Sequence, residues 1–224
     1  AIADATGMGI EVAIFALAAP LALVIGLGCG ARFDTLERRS LEDPVTRVGN
    51  RRHWDGRLAD EVARAKSSRM PLSLMLLDLD ELKKLNDVHG HGCGDGALKL
   101  VGEVLLATCR SRDVAARFGG DEFALLLPRT RVSEAKVVAE RIRAEIARRA
   151  PREIAPTVSI GIADLDAATE ATHAALFDAA DRALYTAKRL GRNRVHVCEP
   201  AVISGVIRLD EVRTQRMKGV RNGR

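Results

Sequence analysis

Four carboxylates stand at the ends of two apolar segments. Asp78 and Asp80 close LSLMLLDLD (Leu72 to Asp80), while Asp121 and Glu122 follow Gly119-Gly120 and lead into FALLLP. Either pair alone reads as solvated charge at a strand end. If the two strands are neighbours, however, the pairs converge, and mutually repelling anions at that distance need a cation between them. Mg²⁺ suits the arrangement: it takes a few carboxylate oxygens, keeps several waters and draws its remaining ligands from phosphates. The two glycines ahead of Asp121 leave the backbone bare, so that a phosphate can come close.

The elements that must position these groups follow from the pattern. LSLMLLDLD is too short for an ordinary helix and reads as a buried strand delivering acid at its C-terminal edge. DVAARF and EFALLLP flank Gly119-Gly120, a two-residue hairpin signal that demands positive φ. Ahead of them, Trp54, Leu58, Val62 and Ala65 recur at helical spacing behind a capping Asn50. ELKKLNDVHGHGCGDGALKLVGEVLLATCR predicts a short helical piece, a Gly/His-rich loop and a helix from about Gly94 to Cys109. Val132 to Arg149 is amphipathic, Thr157 to Ala163 alternates as a strand, Ala171 to Leu190 is helical up to Gly191, and Arg194 to Val197 forms a last strand. This order predicts an α+β fold with helices packed on a mostly antiparallel central sheet.

Composition narrows the partners. The 224 residues are 47% hydrophobic, enough for a real core, and a net charge of +5 favours an anionic partner. Aromatics at 3% leave too few rings for a single-strand nucleic-acid platform, so no nucleic acid is expected. Cys29, Cys93, Cys109 and Cys198 show no zinc spacing and fit a reduced, cytosolic body.

Residues 12–30, VAIFALAAPLALVIGLGCG, carry no charge and match the length of a transmembrane helix. Arg32, Arg38 and Arg39 follow the span and only Asp4 and Glu11 precede it, which places everything downstream in the cytoplasm, at the inner membrane. No basic residues precede the apolar run as a signal peptide requires, and the absence of an initiating Met fits the C-terminal part of a longer protein. The expected organisation is an N-terminal segment over 1–31, a linker over 32–42, a domain over 43–198 and a tail over 199–224.

At Gly119-Gly120-Asp121-Glu122-Phe123 the sequence resembles the diguanylate cyclases, the GGDEF-domain family. Four more segments agree in order and spacing: DPVTRVGNRR (Asp43 to Arg52), LDLDELKKLNDVHGHGCGD (Leu77 to Asp95), TVSIGIA, and AKRLGRNRV (Ala187 to Val195). Leu82, His89, Val45, Arg47 and Gly49 depart from the family pattern without removing a ligand. The resemblance implies a nucleotidyl-cyclase or polymerase-palm type of fold with a ferredoxin-like core. It also implies a homodimer that condenses two GTP molecules into cyclic di-GMP and two pyrophosphates. Asp78, the Leu79 carbonyl and Asp121 would hold Mg²⁺ or Mn²⁺, Asp121 would accept the 3′-hydroxyl proton, and Glu122 would be secondary, its side chain facing away from Asp121. Asn86, His91 and Asp95 would bind the guanine end, Lys188 and Arg192 the triphosphate, and Lys83 the charge of the transition state. Arg110 and Asp113, an RxxD with five residues between it and Gly119, would form an inhibitory product site completed by Arg141. The alternative is a GGDEF domain that binds GTP or cyclic di-GMP without turnover.

Overall fold

Eight consecutive buried residues, Leu72–Leu79, make the central strand β2. Every position except Ser73 and Asp78 is apolar because both faces of the sheet are covered by helices. The alternation of a strand sorts the side chains: Met75, Leu77 and Leu79 enter one core and Leu72, Leu74 and Leu76 the other. The computed structural model describes residues 41–151, 154–166, 168 and 170–199. Within them the order is β1 (Gly49–Asn50), α1 (Arg51–Ser68), β2, α2 (Leu82–His89), α3 (His91–Thr108), β3 (Val114–Gly119) and β4 (Glu122–Pro128). There follow α4 (Val132–Arg149), β5 (Val158–Asp164), α5 (His173–Arg189) and β6 (Val195–Val197). Helices α3 and α4 line the first core, α1 and α5 the second.

The sheet runs β1-β3-β4-β2-β5-β6. Its centre is antiparallel, with β4 and β5 on either side of β2 and β3 beyond β4, but both edges are parallel: β1 with β3, and β6 with β5. The expected mostly antiparallel sheet is therefore corrected to a mixed one. The reason is connectivity. A parallel neighbour needs a long crossover, and α5 supplies one between β5 and β6, while β1 reaches β3 only after the chain has passed through α1, β2, α2 and α3. Packing on that crossover is close: a Cβ on Gly161 of β5 would run into the α5 backbone at Ala180 and Leu184, where the helix itself presents a stripe of buried alanines.

Most of the helices fall where the pattern places them. Asn50 caps α1, its side chain accepting the His53 N–H at 3.0 Å. The expected Gly/His-rich loop shrinks to a single joint at Gly90, φ 82°, with α3 starting at His91 rather than near Gly94. Glycines at 92, 94 and 96 lower local helix propensity, and tertiary packing overrides it. The span at 12–30, most of the linker and all but one residue of the tail lie outside the described residues. Among the described residues no helix is long and apolar enough to cross a membrane.

Candidate active site

The register of β2 with β4 sets Asp78 opposite Glu122. Just beyond, the Leu79 N–H donates to the Asp121 carbonyl at 3.0 Å, so the strand end and the hairpin tip are hydrogen-bonded together. Gly119 and Gly120 turn the chain with φ of 145° and 55°, conformations that L side chains rarely adopt. Nothing lies within 4 Å of where a Cβ on either glycine would be, so the tip is open to an approaching molecule. Glu122 is exposed, and residues opposite each other in an antiparallel pair share a face. Glu122 therefore shares a face with Asp78, which the expectation of a side chain turned away from Asp121 did not anticipate.

Asp78 is buried, and that desolvation pushes its carboxyl up to about 6; the ion pair with Lys188 opposes the rise, and the charges of Asp121 and Asp80 add to it. The Lys188 Nζ, from the last turn of α5, lies 2.6 Å from Asp78 Oδ2. A cation is thus already in place on the carboxylate that was assigned to a metal. Two carboxylates and a main-chain carbonyl are a sparse set, and among the described residues no cluster of three or more His, Cys, Asp or Glu side chains converges. Such a set fits Mg²⁺, which leaves most of its positions to water and phosphate, better than it fits a fully protein-caged ion.

Asp80 does not join them. Its Oδ1 accepts the Ser159 hydroxyl at 2.7 Å, and its Oδ2 accepts the Thr157 hydroxyl at 2.7 Å and the Asn193 N–H at 3.1 Å. The acidic edge seen in the sequence thus divides into a carboxylate held by a single lysine and one held by three hydrogen bonds.

The other expected site residues fall into two groups around this edge. Asn86 on α2 faces α3, whose Gly94 leaves room for it: a Cβ there would collide with Asn86 Oδ1. That oxygen is buried and has no hydrogen-bond partner among the described residues, the state of an acceptor awaiting a donor. His91 and Asp95, in the first turns of α3, are exposed, as is Lys83 at the start of α2. Arg192 lies in the turn after α5 and lines a cleft with Asp80, Glu81 and Lys84.

Arg110, Asp113 and Arg141 line a separate cavity of about 290 Å³ at the base of the β3–β4 hairpin. Asp113 Oδ2 accepts the Arg110 N–H at 2.8 Å, while its Oδ1 is buried and unpartnered among the described residues. The six residues of β3 separate this cavity from the glycine tip by roughly 20 Å.

One functional contact went unread in the sequence. Arg117, two residues ahead of the glycines, donates to the Gly120 carbonyl through Nη2 at 2.7 Å and Nε at 3.2 Å, and through Nη1 to Asp43 Oδ1 at 3.1 Å. Burial works against a charged Asp43, but hydrogen bonds from Thr46 and then Arg117 outweigh it and hold the carboxyl below its usual range. Between Arg117 and the glycines, Phe118 packs edge-on to Trp54 with ring centroids 5.5 Å apart. Asp43-Pro44 in the sequence signalled only a turn; nothing linked it to a residue 74 positions away.

Fold and site together define an α+β domain whose acidic, glycine-tipped edge is built to meet a cation and a phosphate. A family model described as "Diguanylate cyclase, GGDEF domain" matches residues 40–194, and the chain belongs to that family. It is 40% identical over 173 residues to diguanylate cyclase DgcP of Pseudomonas aeruginosa, an alignment covering 75% of this chain and 25% of that protein. With diguanylate cyclase DgcS of Shewanella oneidensis it shares 36% identity over 163 residues, 72% of this chain and 54% of the relative. The chain thus spans between a quarter and about half of these relatives. Among solved structures, the GGDEF domain of DgcB from Caulobacter crescentus in complex with c-di-GMP is 34% identical with a TM-score of 0.66, covering 71% of this chain and 94% of that one. Diguanylate cyclase SiaD of Pseudomonas aeruginosa, in complex with its activator SiaC, is 30% identical with a TM-score of 0.68, covering 86% of this chain and 75% of that one.

Proposed function

We propose that this domain is an active diguanylate cyclase that condenses two GTP molecules into cyclic di-GMP with release of two pyrophosphates. The observation that carries the reading is the junction of β2 with the hairpin tip, where the Leu79 N–H bond to Asp121 holds Asp78 and the tip carboxylates at one open edge. Family membership supplies the reaction.

Asp78, the Leu79 carbonyl and Asp121 would hold Mg²⁺, or Mn²⁺, which when bound would supply Lewis-acid shielding of the α-phosphate and of the attacking oxygen. Asp121 takes the proton from the 3′-hydroxyl of the other nucleotide. The freed oxygen forms a bond to the α-phosphorus as the bond to the pyrophosphate oxygen breaks, and the same exchange on the second nucleotide closes the ring. Lys188 and Arg192 would pair with the phosphates of the bound nucleotide, and Lys83 with the developing charge. Glu122, across from Asp78, adds negative charge to the metal side of the site. Asn86 Oδ1 accepts a guanine N–H, aided by Asp95 and His91.

Since one open edge holds one nucleotide, two domains must face each other, and the working unit is a homodimer. Cyclic di-GMP, the ligand bound by the DgcB domain, occupies the cavity of Arg110, Asp113 and Arg141 as an inhibitor. Residues 12–30 anchor the domain to the cytoplasmic face of the inner membrane. The test is incubation of the purified chain with GTP and Mg²⁺ and chromatographic detection of cyclic di-GMP. A chain that binds GTP and forms none is a binding module instead.

A further inference from the structure

The geometry points to Asp80 as a positioning residue that sets Arg192 over the phosphate tail of the substrate, and not as a third metal-binding carboxylate beside Asp78 and Asp121. This rests on the cyclase reading for what Arg192 does, and on hydrogen bonds for how it is held. All three donors to Asp80 come from outside its own strand: the hydroxyls of Thr157 and Ser159 at the start of β5, and the Asn193 backbone N–H. Both carboxylate oxygens are committed, and a carboxylate accepting three hydrogen bonds has little left to offer a metal. The buried Ser159, 0% exposed, faces Asp80 from the neighbouring strand and fixes the orientation of the carboxyl plane.

The turn that carries Arg192 needs such an anchor. Arg192 and Asn193 are consecutive non-glycine residues with φ of 57° and 46°, a left-handed conformation unfavourable for any L-residue and worst for one without a local side-chain bond. Asn193 is held from two sides at once, its N–H by Asp80 and its Oδ1 by Arg143 Nη1 of α4 at 3.1 Å. The Arg192 carbonyl accepts from Arg194 Nε at 3.1 Å, and the Ile160 N–H of β5 holds the Arg194 carbonyl at 2.9 Å. The Arg192 side chain itself is exposed and lines the cleft beside Asp80 and Lys84, so what the anchored turn sets is the place from which it reaches into that cleft. Asp80 therefore couples the end of β2, which bears Asp78, to the turn bearing the phosphate cation. Its carboxylate is the direct link between the two.

The test compares Asp80→Asn, Arg192→Ala and the double variant in the full chain. An amide at position 80 keeps one acceptor and turns an N–H₂ toward at least one donor. In the nucleotide-free protein, hydrogen exchange of the peptide spanning residues 190–195 should speed up at least tenfold in Asp80→Asn, with α1 and α3 unchanged. With GTP, Asp80→Asn should raise KM about tenfold, the weight of one charge-assisted hydrogen bond, while kcat falls no more than about threefold. The Mg²⁺ concentration for half-maximal rate should stay at the wild-type value, unlike that of Asp78→Asn. The double variant should be no worse than Arg192→Ala alone. Additive losses, a shifted Mg²⁺ requirement or unchanged exchange at 190–195 overturns the inference. If the wild type binds GTP but forms no product, the cyclase reading fails; the exchange result and the non-additivity, read then in GTP affinity, still decide the position of Arg192.

Discussion

The two ends of the β3–β4 hairpin are opposites. The tip is negative, bare and open: Gly119 and Gly120 present no side chain, and Asp121 and Glu122 stand beside the buried Asp78. The base is a cavity edged by Arg110 and Arg141, with one oxygen of Asp113 left unpartnered among the described residues. An open acidic edge suits a reaction in which a second nucleotide must approach from another subunit, with metal carrying the charge. A cavity that offers two arginines beside an unpartnered carboxylate oxygen suits a ligand that stays. Because roughly 20 Å of paired strand lies between them, a ligand at the base cannot reach the reacting phosphates. Each end can therefore be damaged separately.

The sharpest separation comes from Asp121→Ala. Loss of the proposed metal ligand and proton acceptor should lower cyclic di-GMP formation about a thousandfold or more, while calorimetric binding of cyclic di-GMP at the base stays within about twofold of wild type. The complementary change, Arg110→Ala, should weaken product inhibition by about tenfold to a hundredfold, the weight of a forked arginine contact, measured as the product concentration that halves the initial rate. Equal inhibition in that variant would remove the base from regulation.

A third change blurs the comparison from within. Arg117→Ala frees the Gly120 carbonyl and leaves the half-buried Asp43 with Thr46 but without its charged partner. Stability should fall by about 1–3 kcal/mol and turnover by about tenfold, with product binding at the base unaltered. Calorimetric unfolding alongside the rate assay checks both.

The smallest effect is one of stability. Asp78 has a folded-state pKa of about 6, above the usual carboxylate value, so its ionised form costs stability above pH 6 in the absence of metal. As pH falls from about 6 toward 4, the folded state takes up the proton first and that cost is relieved. Asp78→Asn should therefore stabilise the metal-free chain by about 1 kcal/mol at pH 7.5, with the difference closing near pH 4. A destabilised variant at pH 7.5 would mean that the Lys188 ion pair outweighs the burial of charge.

What the sequence made legible were the groups whose signal is local. Asn50 as a cap, Gly119-Gly120 as a turn with positive φ, and the alternation that buries both faces of β2 are each written within a few residues. Position in a motif singled out Asp78, Asp121 and Asn86 as candidates. Pairing direction at the sheet edges was not legible, since nothing in RVHV says that β6 runs parallel to β5. Neither was the Asp43–Arg117 clasp, whose partners lie 74 residues apart, nor the division of labour between Asp78 and Asp80. Two aspartates separated by one residue look alike in a string; only the donors brought by β5 and the turn after α5 tell them apart.

The central claim is that the open acidic edge performs metal-dependent condensation of GTP. Metal removal tests it most directly: GTP turnover by the purified chain is followed in EDTA and again after Mg²⁺ is restored, with cyclic di-GMP and pyrophosphate both quantified. The account predicts no product in EDTA, and on restoring Mg²⁺ two pyrophosphates for each cyclic di-GMP. GTP bound in the presence of Mg²⁺ with no cyclic di-GMP formed, or product formed equally well in EDTA, would contradict it.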